Sequence, residues 1–361
     1  MMQKGRTKVK SVFNFYHQNS DSGEQVYDNS KQEEVNVIEP MIFVNHQIDE
    51  KTSIDARIVF DLWTAASDTK LDESTGASGE GIKNQSRIGV DLGIKREIES
   101  LQYGLNLGFS SEYDYRSLNV SANIAHGFAK DNFTIGYSTQ YYKDEVDLFQ
   151  NLSSPSSALI TKGLPRNIWA NTISMSQILT AKDIAQFDFT YVQAKKNLES
   201  TASSVKVAGV RQNEILPGSR DRYGSSLKWV HGLGEASALN LSYRYYFDDW
   251  GIHANTARAA FLIELNDDED MLEFYIRYHQ QTRADYYKNE FISSERFMTS
   301  DSDINAFTSL EYGLYREYTI SDKKLFGIDL EDCILGTGLV YSKRSTGMDI
   351  IYAQTSFKVE F

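Results

Sequence analysis

Along most of the chain, hydrophobic and polar residues take turns. In YGLNLGFSSEYDY, Tyr103, Leu105, Leu107 and Phe109 fall on one side, with Asn106, Gly108, Ser110 and Glu112 on the other. ALNLSYRYYF sets Leu239, Leu241, Tyr243, Tyr245 and Phe247 against Asn240, Ser242, Arg244 and Tyr246. NFTIGYSTQYY, AQFDFTYVQ and MLEFYIRYH behave alike, and so does the final TSFKVEF. A period of two is the signature of β-strands with chemically different faces, and helical spacing is nearly absent. The chain reads as all-β.

The connectors alternate in length. Short ones are Ile48 to Lys51, Arg96 to Ser100, Ala129 to Asn132, Thr180 to Asp183, Leu233 to Ala236 and Asn266 to Asp270. Long ones run from Gln18 to Glu33, Ala66 to Gly81, Leu148 to Pro165, Glu199 to Asp221 and Thr282 to Ser302, well beyond hairpin length. Three connections break the rule. Tyr113 to Arg116 and Arg344 to Gly347 are short where a long loop is due, and Tyr318 to Asp332 is long where a short turn is due. The pattern predicts roughly 16 strands, with both termini on the short-turn side.

Such a pattern fits a membrane. Hydrocarbon offers the backbone no hydrogen bonds, so only a helix or a closed sheet crosses it. A closed sheet meets lipid outside and water inside, which demands strict alternation. The expected fold is therefore one domain, residues 1–361: a transmembrane, antiparallel up-and-down β-barrel with short periplasmic turns and long extracellular loops, set in outer-membrane lipids. The 22 Tyr and 19 Phe supply two interfacial aromatic girdles.

Composition narrows the field. Mean hydropathy is −0.44, and no apolar run approaches the roughly 18 residues of a spanning helix. The net charge of −13 argues against a nucleic-acid partner. Cys333 is the single cysteine, which excludes an internal disulfide and a multi-cysteine metal site. The opening MMQKGRTKVK has a basic start without an apolar stretch behind it, so the chain is either cytosolic or a mature form. The alternation favours the mature form, in a Gram-negative outer membrane. An aromatic end on an alternating strand, with Phe357, Val359 and Phe361 on one face, resembles the terminal signal read by the barrel-assembly machinery. The bland alternative is a soluble edge strand that ends the chain.

Several longer stretches are more specific: RDRYG (Arg220 to Gly224), YRYYFDDWGIHANT (Tyr243 to Thr256), RYHQQTRADYY (Arg277 to Tyr287), TSDSDINAF (Thr299 to Phe307), SSEYDYRSLNVS (Ser110 to Ser121) and RIVFDLWTAAS (Arg57 to Ser67). Together they resemble the bacterial barrel family catalogued as domain of unknown function 3570. The resemblance implies an outer-membrane barrel and carries no activity or cofactor. Genes of that family often neighbour a small lipoprotein, a thioredoxin-like protein and a flavinylating transferase, which points to an envelope complex with a possible redox or surface component.

Candidate chemistry sits on the polar face. Asp248, Asp249, His253 and Asn255 cluster where the eleventh and twelfth strands meet, with Gly251 suited to the turn. Asp248 and His253 could serve a barrel hydrolase, or the group could cap a turn and pin the hairpin. Glu112 and Asp114 read as lumen-facing, with Arg116 just past the turn. Arg57, Arg87, Arg244, Arg277 and Arg283 also fall at inward positions. Opposite charges there either set a transverse field or pair along the wall. Trp250, Asp285 and Asp303, inside the family motifs, join these as lumen or partner-binding candidates. Asp301 to Asn305 imitates the opening of a calcium loop but has Ala306 where Gly is needed. The six His never take ligand spacing, and GASGEG (Gly76 to Gly81) lacks the Lys-Ser/Thr of a phosphate loop.

Three functions follow. The motifs crowd onto one arc, strands ten to fourteen, which favours a membrane-spanning scaffold whose lumen or rim holds a partner such as a small lipoprotein. The alternative is a porin-like channel for small solutes, mildly cation-preferring because of the acidic excess. A hydrolase using Asp248 and His253 comes last. No cofactor is expected.

Overall fold

The computed structural model describes residues 5–20, 34–63, 86–150, 159–201, 204–265, 270–320, 323–325, 328–330 and 332–361. The expected external segment 66–81, with its GASGEG run, and residues 266–269 of the acidic turn lie outside the described residues.

Sixteen strands close into one antiparallel barrel. In chain order they are β1 (Thr7–Asn19), β2 (Glu34–Gln47), β3 (Thr52–Trp63), β4 (Ser86–Ile98), β5 (Leu101–Ser111), β6 (Tyr115–Phe128), β7 (Phe133–Gln150), β8 (Leu159–Thr180), β9 (Asp183–Lys195), β12 (Ser219–Gly232), β13 (Ser237–Asp248), β14 (His253–Leu265), β15 (Asp270–Gln281), β16 (Phe307–Ile320), β19 (Asp332–Arg344) and β20 (Asp349–Glu360). Two small hairpins interrupt the meander: β10 (Ser204–Val207) with β11 (Val210–Asn213), and β17 (Lys323–Leu325) with β18 (Ile328–Leu330).

Closure comes from β1 pairing with β20, from Lys8↔Glu360 to Asn19↔Asp349. Thr7 and Phe361 then exchange both backbone hydrogen bonds. The terminal strand therefore leaves no free edge on the barrel.

Residues directly opposite in an antiparallel ladder share a face, so the register assigns every side chain to lipid or lumen. Leu92, Leu105, Leu107, Leu118 and Val120 stand exposed on the outside of β4 to β6, as do Phe274, Leu314 and Leu339 farther round. The outward row ends in aromatic girdles. On the loop side Tyr191, Tyr223, Phe247 and His253 form a continuous row across four strands, with Tyr223 and Phe247 stacked at 4.8 Å. On the turn side Phe128 meets Phe133 at 6.1 Å, and Trp229 stacks on His231. Amphipathic rings at both ends of an apolar band are what the two interfaces of a bilayer select.

The three irregular connections are real. Residues 112–114 and 345–348 make tight turns on the loop side, and the β16–β19 connection carries the β17–β18 hairpin on the turn side. Two features exceed the expectation. Strands β7 and β8 run 18 and 22 residues, continuing past the rim through a register shift at Val146/Leu148. The segments expected as open loops, 199–221 and 282–302, instead fold into a cap.

Candidate functional site: the lumen wall and its cap

The inner wall is polar and braced across strands. Arg57 meets Asp91 at 2.6 Å, Arg87 meets Asp61 at 2.5 Å, Lys95 meets Asp55 at 3.2 Å and Arg277 meets Glu311 at 3.1 Å. Arg258 pairs with Glu273 in the same way. Each arginine or lysine has its acid on an adjacent strand. Of the two arrangements open to the sequence, these charges take the paired one. Arg244 also faces inward, lying over Gly224, while Arg283 is exposed beyond the end of β15.

Aromatic rings lie flat against this wall. A Cβ added at Gly313 would come 2.0 Å from Tyr275, so the ring occupies the space that a side chain would take. The Tyr275 hydroxyl donates to Glu311 at 3.0 Å, and Arg258 stacks on its other face at 4.1 Å. Tyr315 covers Gly336 and Gly338 in the same fashion. Lumen cavities remain among the described residues. One of about 470 Å³ lies among β1 to β7, and one of about 430 Å³ lies among β15, β16, β19, β20 and β1.

The cap closes over the inner side of the β8–β16 arc. The β10–β11 hairpin packs Val205 and Val207 on Phe291 and Met298, both fully buried. Short bridges join Val207 to Phe291 and Ile215 to Met298. A second cluster, Leu216, Trp250, Ile252, Ala284, Tyr287 and Ile304, welds the β13–β14 turn to the segment 282–306, with inward-facing Tyr246 against it. Arg220 stacks over Trp250 at 4.3 Å and grips Asp248. Arg166 on β8 donates to the carbonyls of Asn197 and Glu199, and Thr201 donates to Asp114 on the β5–β6 turn. Glu214 accepts from Thr299 at 2.5 Å inside the cap, and burial pushes its carboxyl up to about 7.

The family described as "Protein of unknown function (DUF3570)" matches residues 73–332. The chain belongs to the DUF3570 family. No curated protein matches it. Among solved structures, a bacterial polysaccharide outer membrane secretin superposes with a TM-score of 0.53 at 8% identity, over 98% of each chain. The Pseudomonas aeruginosa outer membrane protein OpdK gives 0.46 at 8% identity over 98% of each chain. OprD of the same organism gives 0.44 at 11%, over 98% of this chain and 95% of its own. At such identities the likeness is one of fold: an outer-membrane β-barrel.

Within this DUF3570 barrel the motif residues separate by face. Asp248 is buried and points inward, where it accepts from Arg220, from Tyr246 and from the backbone N–H of Trp250 and Ile252. Asp249 accepts from the Asp221 backbone N–H at 2.9 Å. Gly251 turns the chain at φ +85°, and a Cβ there would strike the Asp285 carboxylate at 2.4 Å. Asp285 in turn donates its backbone N–H to the Trp250 carbonyl.

His253 and Asn255 are a correction. The motif places them beside Asp248 in the lumen, but the register pairs His253 with Phe247 and Asn255 with Tyr245, on the outer face. His253 contacts Tyr245 at 3.0 Å, and Asn255 accepts from Tyr243. The four-residue turn 249–252 puts residues 248 and 253 on opposite sides of the wall. An Asp248–His253 hydrolase pair is therefore not assembled.

Arg116 is a second correction. It sits outside at the rim beside Glu145 at 3.3 Å, because β6 turns its even positions to lipid. Glu112 stays inside the rim, where burial raises its carboxyl above the usual range. Asp303 belongs to a 3₁₀ turn, Ser302–Ile304, capped by Asp301, and reaches Arg344 at 2.9 Å. The calcium-like run is thus a capped 3₁₀ turn at the edge of the cap.

Sequence reasoning missed Arg220, Glu214, Tyr275 and the lysines of β1 and β20. Lys8, Lys10 and Lys358 did carry a signal, since each holds a polar position in an alternating strand.

Proposed function

We propose that the chain is a porin-like channel in a Gram-negative outer membrane, passing small solutes through a lumen narrowed on the loop side by the folded cap. The observation that carries this reading is the inner wall. It is polar and ion-paired, and its large rings are folded flat over glycines, so that space remains beside the strands. A structural plug needs none of these features, whereas a water path requires a wall whose polar groups are satisfied and whose bulk is kept aside. In this orientation the cap faces outward from the cell and the tight turns face the periplasm. Phe357 and Val359, on the outward row of β20, with Phe361 just past its end, would serve the assembly machinery as a recognition signal.

Planar-bilayer recording tests the reading. The folded chain should give stepwise conductance, and shortening the cap segment 285–303 should enlarge each step. Many insertions of folded protein without current, with the cap intact and with it shortened, would remove the channel.

A second reading is the partner-holding scaffold. The cap favours it by presenting apolar side chains on an ordered support: Ile292 is 94% exposed and Val210 53%. Purification from native membranes in mild detergent should then return a stoichiometric envelope protein, such as a small lipoprotein. Recovery of the barrel alone would count against it.

A further inference from the structure

At the seam where the barrel closes, two like charges meet on the wall. Lys10 on β1 and Lys358 on β20 stand directly opposite each other in the ladder, both on the lumen face. Like charges at such a position repel. Neither lysine forms an ion pair or hydrogen bond among the described residues. Glu360, two residues from Lys358 on the same face of β20, already accepts from Arg6 at 3.0 Å and from Lys8 at 2.9 Å.

The cavity of about 470 Å³ opens on this pair. Of the cations lining it, Arg57 and Lys95 are taken up by Asp91 and Asp55 and Lys8 by Glu360, which leaves Lys10 and Lys358. The chain as a whole carries −13, so the excess positive charge here is local. Phe43, opposite Lys10 on β2, lines the same cavity and gives the site an apolar flank.

We infer that Lys10 and Lys358 form a binding position in the lumen for a small anion, a carboxylate or a phosphate. The two ammonium groups are compact point charges on flexible stems, suited to a small oxyanion that brings its own charge between them. A bound anion relieves the cross-strand repulsion and supplies the partner that the wall withholds. This deepens the channel reading and rests on it for the solute's route. It also reverses the cation preference expected from the net charge, because net charge counts every residue while a passing ion meets only the lumen wall.

Inorganic phosphate is the probe. The ³¹P linewidth of phosphate, titrated with the full folded chain in uncharged detergent at low salt, should show saturable binding. The Lys10→Gln/Lys358→Gln double variant should bind about tenfold more weakly or worse, given that a charge-assisted hydrogen bond contributes on the order of 1.5–3 kcal/mol. Lys343→Gln, on the outer face beside Asp349, should bind as the original chain does. Lys10→Met alone keeps the stem and removes one charge, and should give an intermediate loss if the double variant folds poorly. Absence of saturable broadening, or equal binding by original and double variant, overturns the site. In bilayers under a KCl gradient the reversal potential should report anion preference that the double variant loses. A conducting but cation-selective original chain would overturn the anion site and leave the channel standing. Phosphate binding that depends on the lysines, without conductance, would overturn the channel and leave the site.

Discussion

Tyr275 and Gly313 show how single residues set the bore. The ring lies where a Cβ of residue 313 would be, 2.0 Å away, so even alanine cannot enter without moving it. Displaced, the ring loses its bond to Glu311 and its stack on Arg258 and swings toward the lumen. Gly313→Ala should therefore lower single-channel conductance while the barrel still folds, and Gly313→Ala/Tyr275→Ala should restore it. Conductance unchanged in Gly313→Ala would mean that the ring does not define the path. Gly251 is constrained twice, by its φ of +85° and by the Asp285 carboxylate, and belongs to the β13–β14 turn beneath the cap rather than to the bore.

Elements decide how the cap is held. Its inner cluster buries Val205, Val207, Phe291 and Met298, and truncating a fully buried Phe in such a cluster costs about 3–5 kcal/mol. The same interior contains Glu214, whose folded value near 7 lies above the ordinary 4.5. A raised carboxyl binds more protons in the folded cap than in the unfolded segment, so the folded cap loses stability as pH climbs from about 4.5 through about 7. Proteolysis within segments 196–218 and 282–306 should accordingly speed up between pH 5 and pH 8, and Glu214→Gln should flatten that rise. A pH profile that survives the substitution would place the titration elsewhere. The strands of the barrel were legible in the sequence because the period of two is imposed by the solvent difference across the wall, residue after residue, as in Leu105, Leu107 and Phe109. The cap was not, because Val205, Phe291 and Met298 meet through contacts some ninety residues apart in the chain, and no local pattern records that. His253 was misplaced for a related reason. The motif DDWGI holds a four-residue turn, and the face of the first residue after a turn depends on its length rather than on composition.

The whole molecule is a division of solvents. Apolar rows on β4 to β6 and β13 to β16 face outward, ion-paired rows face inward, and the pairing of β1 with β20 completes the separation. The sign of the charge follows the same division: the chain is acidic overall, and the cavity beside Lys10 and Lys358 is basic. Paired labelling on β13 addresses the division directly, using a Cys333→Ser background so that the native thiol is absent. Leu241→Cys and Ser242→Cys are consecutive residues assigned to lipid and lumen. In proteoliposomes a charged, membrane-impermeant thiol reagent should modify Ser242→Cys and spare Leu241→Cys, while a lipophilic maleimide should reach Leu241→Cys. Equal modification of both positions by the charged reagent, or protection of both, would contradict a cylinder with lipid outside and water within.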